Sequence, residues 1–391
     1  MILLRTICRT APLLFLALLA AAPPALAQDA DDPSRAVGWY RMHSGESLLV
    51  TPASDGGLMI FHFGEPPFAD RLGRGERGTL VWSRGEGRPE REVRFPPGGG
   101  ELQWREGAGE WRAAPAIDGP YEPVERSFRS GGVTLSGTIF LPSEPGPRPG
   151  VVFIHGSGTS TRDNGWYMRI ADRLARSGIA VLLPDKRGSG KSGGEWELAS
   201  FDDLARDAAA GVAALGAIDA VDRDRIGVLG VSQGGHVAPM VPRLAPELAF
   251  VVNLSGSAVP IEEQLELELT NTLRQEGWPR FMIPLVRPIA IRVVKRRMPA
   301  WWEMNGAVDP IGHWRELDVP ALVVYGAEDE RDNVPVRKSV ERLRAADGGR
   351  KTIDLIVYPD SGHALYAPGS RKIREDFLAS LVSWIRSRSR S

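Results

Sequence analysis

The 391-residue sequence holds a single cysteine, Cys8, in a leader segment expected to be removed. The mature chain then has none, which excludes disulfides, a thiol nucleophile and any thiolate metal site. An excess of charge of one sign is lacking too: 48 Lys and Arg face 49 Asp and Glu, a formal net charge of -1. That balance gives no reason to expect nucleic acid or an anionic membrane as partner, although it leaves room for a local basic patch. A long apolar run is the third absence. The stretch from Ala11 to Ala22 is shorter than the ~20 residues a spanning helix needs. With Arg5 and Arg9 before it and Ala25-Leu26-Ala27 behind Pro23-Pro24, it has the layout of a secretory signal peptide cleaved after Ala27. A periplasmic or extracellular protein without stable membrane insertion is therefore expected.

What is present is ordinary globular composition, 42% hydrophobic and 25% charged, in a chain long enough for two or three domains. After the leader (1–27), residues 28–117 read as a small antiparallel β-rich domain. Ser47–Val50, Leu58–Phe61, Thr79–Trp82, Val93–Phe95 and Leu102–Trp104 are its strands, with turns at Gly56-Gly57, Gly85-Glu86-Gly87 and Gly98-Gly99-Gly100. Trp39, Trp82, Trp104 and Trp111 are placed in or near its core rather than on a carbohydrate- or lipid-binding face.

Pro115–Pro123 reads as a linker. Beyond it, over 118–391, strands alternate with helical patterns, the mark of a mostly parallel sheet. A hairpin around Gly131-Gly132 is followed by Val151–Ile154, Ile179–Leu183, Ile226–Leu229, Phe250–Leu254, Ala321–Tyr325 and Ile353–Val357 as strands. Trp166–Arg176, Phe201–Leu215 and Arg371–Ile385 are helices, and Arg386–Ser391 is a disordered tail. The strand-free stretch 258–314 is expected to cap the sheet's working edge.

Gly230-Val231-Ser232-Gln233-Gly234 follows a buried strand and opens a helical segment. In that setting G-x-S-x-G forces a sharp turn that projects a nucleophilic hydroxyl, here that of Ser232. Pro239 and Pro242 should leave the following helix kinked or short, with His236 on its surface or in packing. His155-Gly156-Ser157-Gly158 follows the strand Val151–Ile154, so the backbone amides of Ser157 and Gln233 are the oxyanion-hole candidates. His155 is expected to brace that loop. His363 comes after the last strand, where the order Ser, Asp, His requires a base. Its acid should lie in Gly326–Asp332: Asp329 is the choice, Asp332 the main rival, and Glu328 and Glu330 stand behind them.

These motifs, with Asp185-Lys186-Arg187-Gly188-Ser189-Gly190-Lys191-Ser192, resemble those of the α/β-hydrolase superfamily, and more narrowly its bacterial serine-aminopeptidase-like and dienelactone-hydrolase-like esterases. The resemblance covers roughly 124–386 and implies an eight-stranded sheet, acyl transfer through a covalent acyl-enzyme, and no need of a metal or organic cofactor. It does not account for 39–114. The expectation is a serine esterase using Ser232, Asp329 and His363 on a small-molecule acyl ester. Thioester hydrolysis, small-peptide cleavage and acyl transfer could run on the same machinery. A binding module that has lost activity is the alternative of a different kind.

Overall fold

A computed structural model describes residues 33–63, 68–74, 80–82, 91–96 and 99–388. The expected signal peptide, the turn Gly85-Glu86-Gly87 and the last three residues of the tail lie outside them. Arg386, expected in that tail, instead ends the last helix, and its carbonyl accepts from Arg225 at 2.8 Å.

Eight antiparallel strands close into a barrel: β1 (Gly38–Arg41), β2 (Ser47–Pro52), β3 (Leu58–His62), β4 (Phe68–Arg74), β5 (Leu80–Trp82), β6 (Arg91–Arg94), β7 (Glu101–Glu106) and β8 (Arg112–Ile117). Closure comes from β1 pairing with β8 across Trp39–Ile117 and Tyr40–Ala116, which removes the exposed edges an open sheet would present. The barrel interior holds Tyr40, Leu48, Val50, Ile60, Leu102 and Trp104. Neighbouring positions point outward, and on β1–β3 those are also apolar: Trp39, Leu49, Met59 and Phe61 pack into the core of the second domain. Both faces of these strands are buried, which explains their continuous rather than alternating apolar runs. Trp39 is thus an interface residue, not a barrel-core one; its indole Nε1 donates to the Tyr121 carbonyl at 2.8 Å. Trp111 lies outside the barrel beneath the Arg94 and Arg105 guanidiniums, 4.1 and 4.8 Å from the ring centre. The side chain of Trp82 lies outside the described residues.

The linker is shorter than expected. Pro115 sits within β8, and β9 (Tyr121–Ser130) begins after residues 118–120. With β10 (Val133–Pro142) it forms the hairpin of a second sheet. β11 (Arg148–Ile154), β12 (Ala180–Pro184), β13 (Val221–Val231), β14 (Phe250–Leu254), β15 (Ala321–Gly326) and β16 (Ile353–Tyr358) complete it. The order across the sheet is β9-β10-β12-β11-β13-β14-β15-β16. β10 alone runs against its neighbours; the other pairings are parallel. Helices Gly165–Arg176 and Phe201–Gly216 flank the sheet, and the closing helix spans Glu375–Arg386, four residues later at its start than the apolar pattern suggested.

Between β14 and β15 the chain forms four helices, Ile261–Gln275, Ile283–Arg297, Pro299–Asn305 and Ile311–Glu316. The first lies against the loop after β15, where Asn271 Nδ2 donates to the carbonyls of Glu330 and Asp332 at 3.2 Å each. The second packs on the first as an outer layer.

Candidate active site

At the end of β13 the backbone reverses in one residue. Ser232 has φ 55° and ψ -117°, a conformation that a residue with a Cβ adopts only at a cost. The turn is too tight for side chains beside it. A Cβ on Gly230 would lie 2.1 Å from the Gly234 carbonyl oxygen, and one on Gly234 would lie 2.1 Å from that of Ile154. The helix that follows is short, Gln233–Val237, and passes into a 3-10 turn at Ala238–Met240 containing Pro239. His236 is buried there rather than on the surface. Its Nε2 lies 2.9 Å from Ser257 Oγ, and burial lowers its pKa to about 4.

β14 anchors two parts of the site. The Ser232 amide donates to the Leu254 carbonyl at 2.9 Å, and the next residue, Ser255, donates its hydroxyl to the His363 carbonyl, also at 2.9 Å. The nucleophile turn and the loop of His363 are therefore pinned to consecutive residues.

His363 Nδ1 lies 2.6 Å from Asp329 Oδ2. Asp329 occupies the 3-10 turn Ala327–Arg331 directly after β15, and its side chain is wholly buried while that of His363 keeps 30% of its surface open. The two loops interlock: the Glu328 amide donates to the Ser361 carbonyl at 3.0 Å. Of the rival acids, Asp332 is exposed and accepts from Gln275 Nε2 at 2.8 Å, while Glu328 and Glu330 pair with Arg331 and Arg337. Burial disfavours protonation of His363, but the hydrogen bond and charge of Asp329, aided by Glu268, raise its pKa above the ordinary 6.5. With Nδ1 donating to the carboxylate, Nε2 is left to accept a proton.

The other half of the site is the loop after β11. The Gly156 amide donates to the Tyr167 hydroxyl at 2.9 Å, and a Cβ on Gly156 would stand 3.4 Å from Ser232 Cβ, so this loop passes beside the nucleophile turn. The amides of Ser157 and Gln233 have no protein acceptor among the described residues. His155 does brace the loop: its Nε2 meets the Pro184 carbonyl at 2.6 Å and its Nδ1 the Ser160 hydroxyl at 2.9 Å. Burial lowers its pKa to about 4, so it stays neutral.

Two further side chains reach the site: Lys186, read in the sequence only as part of a motif, and Glu268, which the sequence did not single out. Lys186 is buried, and its ammonium donates at 2.7 Å both to the Gly156 carbonyl and to Gln233 Oε1. It thus ties the peptide unit that carries one candidate oxyanion donor to the side chain of Gln233, whose amide is the other. The Gly156 carbonyl and the Ser157 N–H belong to one peptide unit, so a cation on the oxygen polarises that N–H as a donor. Burial lowers the pKa of Lys186 to about 7. The signal available was its place directly after β12, beside β11 in the sheet. Glu268 is the second. On helix Ile261–Gln275 the positions Gln264, Glu268 and Asn271 share one face. Gln264 accepts from Ser257 at 2.7 Å and donates to Glu268 at 2.8 Å. Burial pushes the Glu268 carboxyl up to about 7, and it feels the charges of His363 and Asp329. A polar stripe on the inward face of a half-buried helix was the clue.

The rest of the Asp185–Ser192 block is architectural. Asp185 is buried and accepts Arg162 at Nε and Nη2, at 3.1 and 2.7 Å, and the Lys191 amide at 3.0 Å. That pairs two charges which would each be costly to bury alone.

A sequence profile of the alpha/beta hydrolase family matches residues 151–371. Esterase EstD of Thermotoga maritima is 27% identical over 246 residues, 59% of this chain and 58% of its own. The 2,6-dihydropseudooxynicotine hydrolase of Paenarthrobacter nicotinovorans is 25% identical over 266 residues, 66% of this chain and 64% of its own. This chain thus spans less than two thirds of either relative's length. The crystal structure of the acylaminoacyl peptidase of Pyrococcus horikoshii is similar in fold, with a TM-score of 0.54 at 14% identity, over 90% of this chain and 56% of that one. The family profile covers more than half of the sequence and takes in the nucleophile turn, the loop after β11, Asp329 and His363: the chain belongs to the alpha/beta hydrolase family.

Proposed function

We propose that the protein is a serine hydrolase acting on carboxylic esters. The observation that carries this reading is the short bond from His363 Nδ1 to the buried carboxylate of Asp329, in loops pinned to the same strand end as the strained Ser232 turn. In the proposed reaction His363 Nε2 takes the Ser232 proton as Oγ attacks the acyl carbon, and the amides of Ser157 and Gln233 receive the oxyanion. Lys186 holds those two donors in register. Collapse of the tetrahedral intermediate expels the alcohol, protonated by His363, and leaves an acyl-Ser232. Water, deprotonated by His363, then attacks that ester and regenerates the hydroxyl.

Asp329 holds the imidazole in the tautomer the first step needs and stabilises the imidazolium that forms. Esterase EstD among the similar proteins fits this acyl-transfer chemistry. The test is labelling by a fluorophosphonate together with turnover of short p-nitrophenyl esters. Wild type is expected to do both and Ser232→Ala neither, with an unchanged melting curve. A wild-type protein inert to both reagents ends the proposal.

A further inference from the structure

The outermost helix of the cap presents an unusual face. Phe281, in the turn just before helix Ile283–Arg297, is 77% exposed; Leu285 and Ile289 within the helix are 70% and 57% exposed. Spaced four apart, they form a single stripe with the exposed Arg292 and Arg296. The opposite face packs inward through Ile283 and Ala290. These large apolar side chains are therefore left in solvent together, not scattered, and contiguous exposure of that kind marks a surface that meets something.

Charge narrows the choice of partner. From Gly277 to Trp302 the sequence has six Lys or Arg and no acid, in a chain whose net charge is -1. Arg280, Arg292 and Arg296 have no ion pair among the described residues. The apolar half of the stripe lies toward the helix N-terminus and the cationic half toward the C-terminus. A second copy docked through the same patch would lie antiparallel about a two-fold axis and set Arg292 and Arg296 against the copy's Leu285 and Phe281, which offer the cations no anionic partner. Nucleic acid would satisfy the arginines and leave Phe281 and Leu285 without a purpose. A bilayer with anionic headgroups satisfies both halves, taking apolar side chains into its acyl boundary and cations at the phosphate level.

We propose that this face of the cap docks on an anionic lipid surface. The contact is peripheral: no helix among the described residues is long and apolar enough to cross a membrane. Phe281, Leu285 and Ile289 enter the boundary between headgroups and acyl chains, while Arg292 and Arg296 pair with lipid phosphates. The proposal stands apart from the hydrolase reading, because it concerns the outer cap layer and is read out by binding.

The test is co-sedimentation of the full-length protein with vesicles of phosphatidylcholine alone and of phosphatidylcholine with about 30% phosphatidylglycerol. Binding is expected to the mixed vesicles, to fall with added salt, and to be weak on the neutral ones. The double variants F281S/L285S and R292E/R296E are each expected to lower the partition coefficient about tenfold or more. Because these side chains are exposed, melting curves of both variants should overlay wild type. Equal binding to both vesicle types, no binding by wild type, or retention in both variants would overturn the proposal. So would a lipid-free dimer that F281S/L285S converts to monomer while vesicle binding is absent, which assigns the face to self-association.

Discussion

Replacing Ser232 by glycine separates its proposed chemistry from the strain it bears. At φ 55° and ψ -117° a residue with a Cβ is held in a conformation costing of order 1–3 kcal/mol, and the surrounding strand, helix and glycines leave no room for the turn to relax. Ser232→Ala removes the hydroxyl and keeps the Cβ, so it keeps the strain. Ser232→Gly removes both. Glycine gains freedom in the unfolded chain, which offsets roughly 0.5–1 kcal/mol of the relief. The net expectation is that Ser232→Gly is more stable than Ser232→Ala by about 1 kcal/mol, with both inactive. In a chain of this size that is a rise in Tm of about 2 °C. Urea and thermal melts of the two variants, read by tryptophan fluorescence and circular dichroism, supply the comparison. If Ser232→Gly melts below Ser232→Ala, the turn is not strained, and its backbone must be held by something other than overdetermined packing.

Three further outcomes are expected at the site. Asp329→Asn should keep the fold and lower kcat by about 10⁴-fold, because the amide favours the wrong imidazole tautomer; Asp332→Asn, altering an exposed residue, should stay near wild type in the same ester assay. Lys186→Met should lower kcat by at least about tenfold with little change in KM, since it loosens donors that matter most to the transition state; a matching loss in KM alone would assign Lys186 to substrate binding instead. Glu268→Gln should move the acid limb of the kcat/KM profile to lower pH. The ionised carboxylate raises the His363 pKa, so removing its charge leaves the base neutral further into acid; a limb that stays put or moves up refutes the coupling.

The hydrolase sheet was legible because its central strands are buried on both faces and so appear as unbroken apolar runs; Phe250–Leu254 is the clearest, with every residue buried. The meeting of His363 with Asp329 was legible through their place after named strands. The barrel was harder. β4 reads Phe-Ala-Asp-Arg-Leu-Gly-Arg and β8 carries Pro115, so local propensity argues against both, and only pairing with partners far along the chain makes them strands. Lys186 was hidden for a related reason. A lysine is ordinarily read as solvated, and this one is buried by acceptors 30 and 47 positions away. The cap stripe was hidden in plain composition: Pro279–Met298 read as a mixture of apolar and cationic residues, and only the helix phase sorts exposed from buried.

The barrel's outer face bears on the α/β-hydrolase domain more directly than a fused domain would require. Ser54, in the turn after β2, meets the carboxylate of Asp163 through its amide at 3.0 and 3.1 Å and through its hydroxyl. Asp163 lies in the loop joining Gly156-Ser157-Gly158 to helix Gly165–Arg176. On that helix Asp172 accepts from the Tyr121 hydroxyl at 2.8 Å and from Arg176 at 2.8 Å, and the Arg176 guanidinium lies 4.8 Å over the Trp39 ring. Arg169 Nη1 reaches the Phe63 carbonyl at 3.2 Å. The loop that bears one candidate oxyanion donor is thus continuous with a helix held from outside by barrel residues at several points along its length. The linker is fitted to the same contact: a Cβ on Gly119 would fall 1.9 Å from Trp39 Cδ1. A domain attached only by its tether would need none of this. The shared apolar core of Trp39, Leu49, Met59 and Phe61 with Tyr121 and Phe140 makes the barrel a wall of the hydrolase, and rigidity in that wall is what a preorganised oxyanion loop requires.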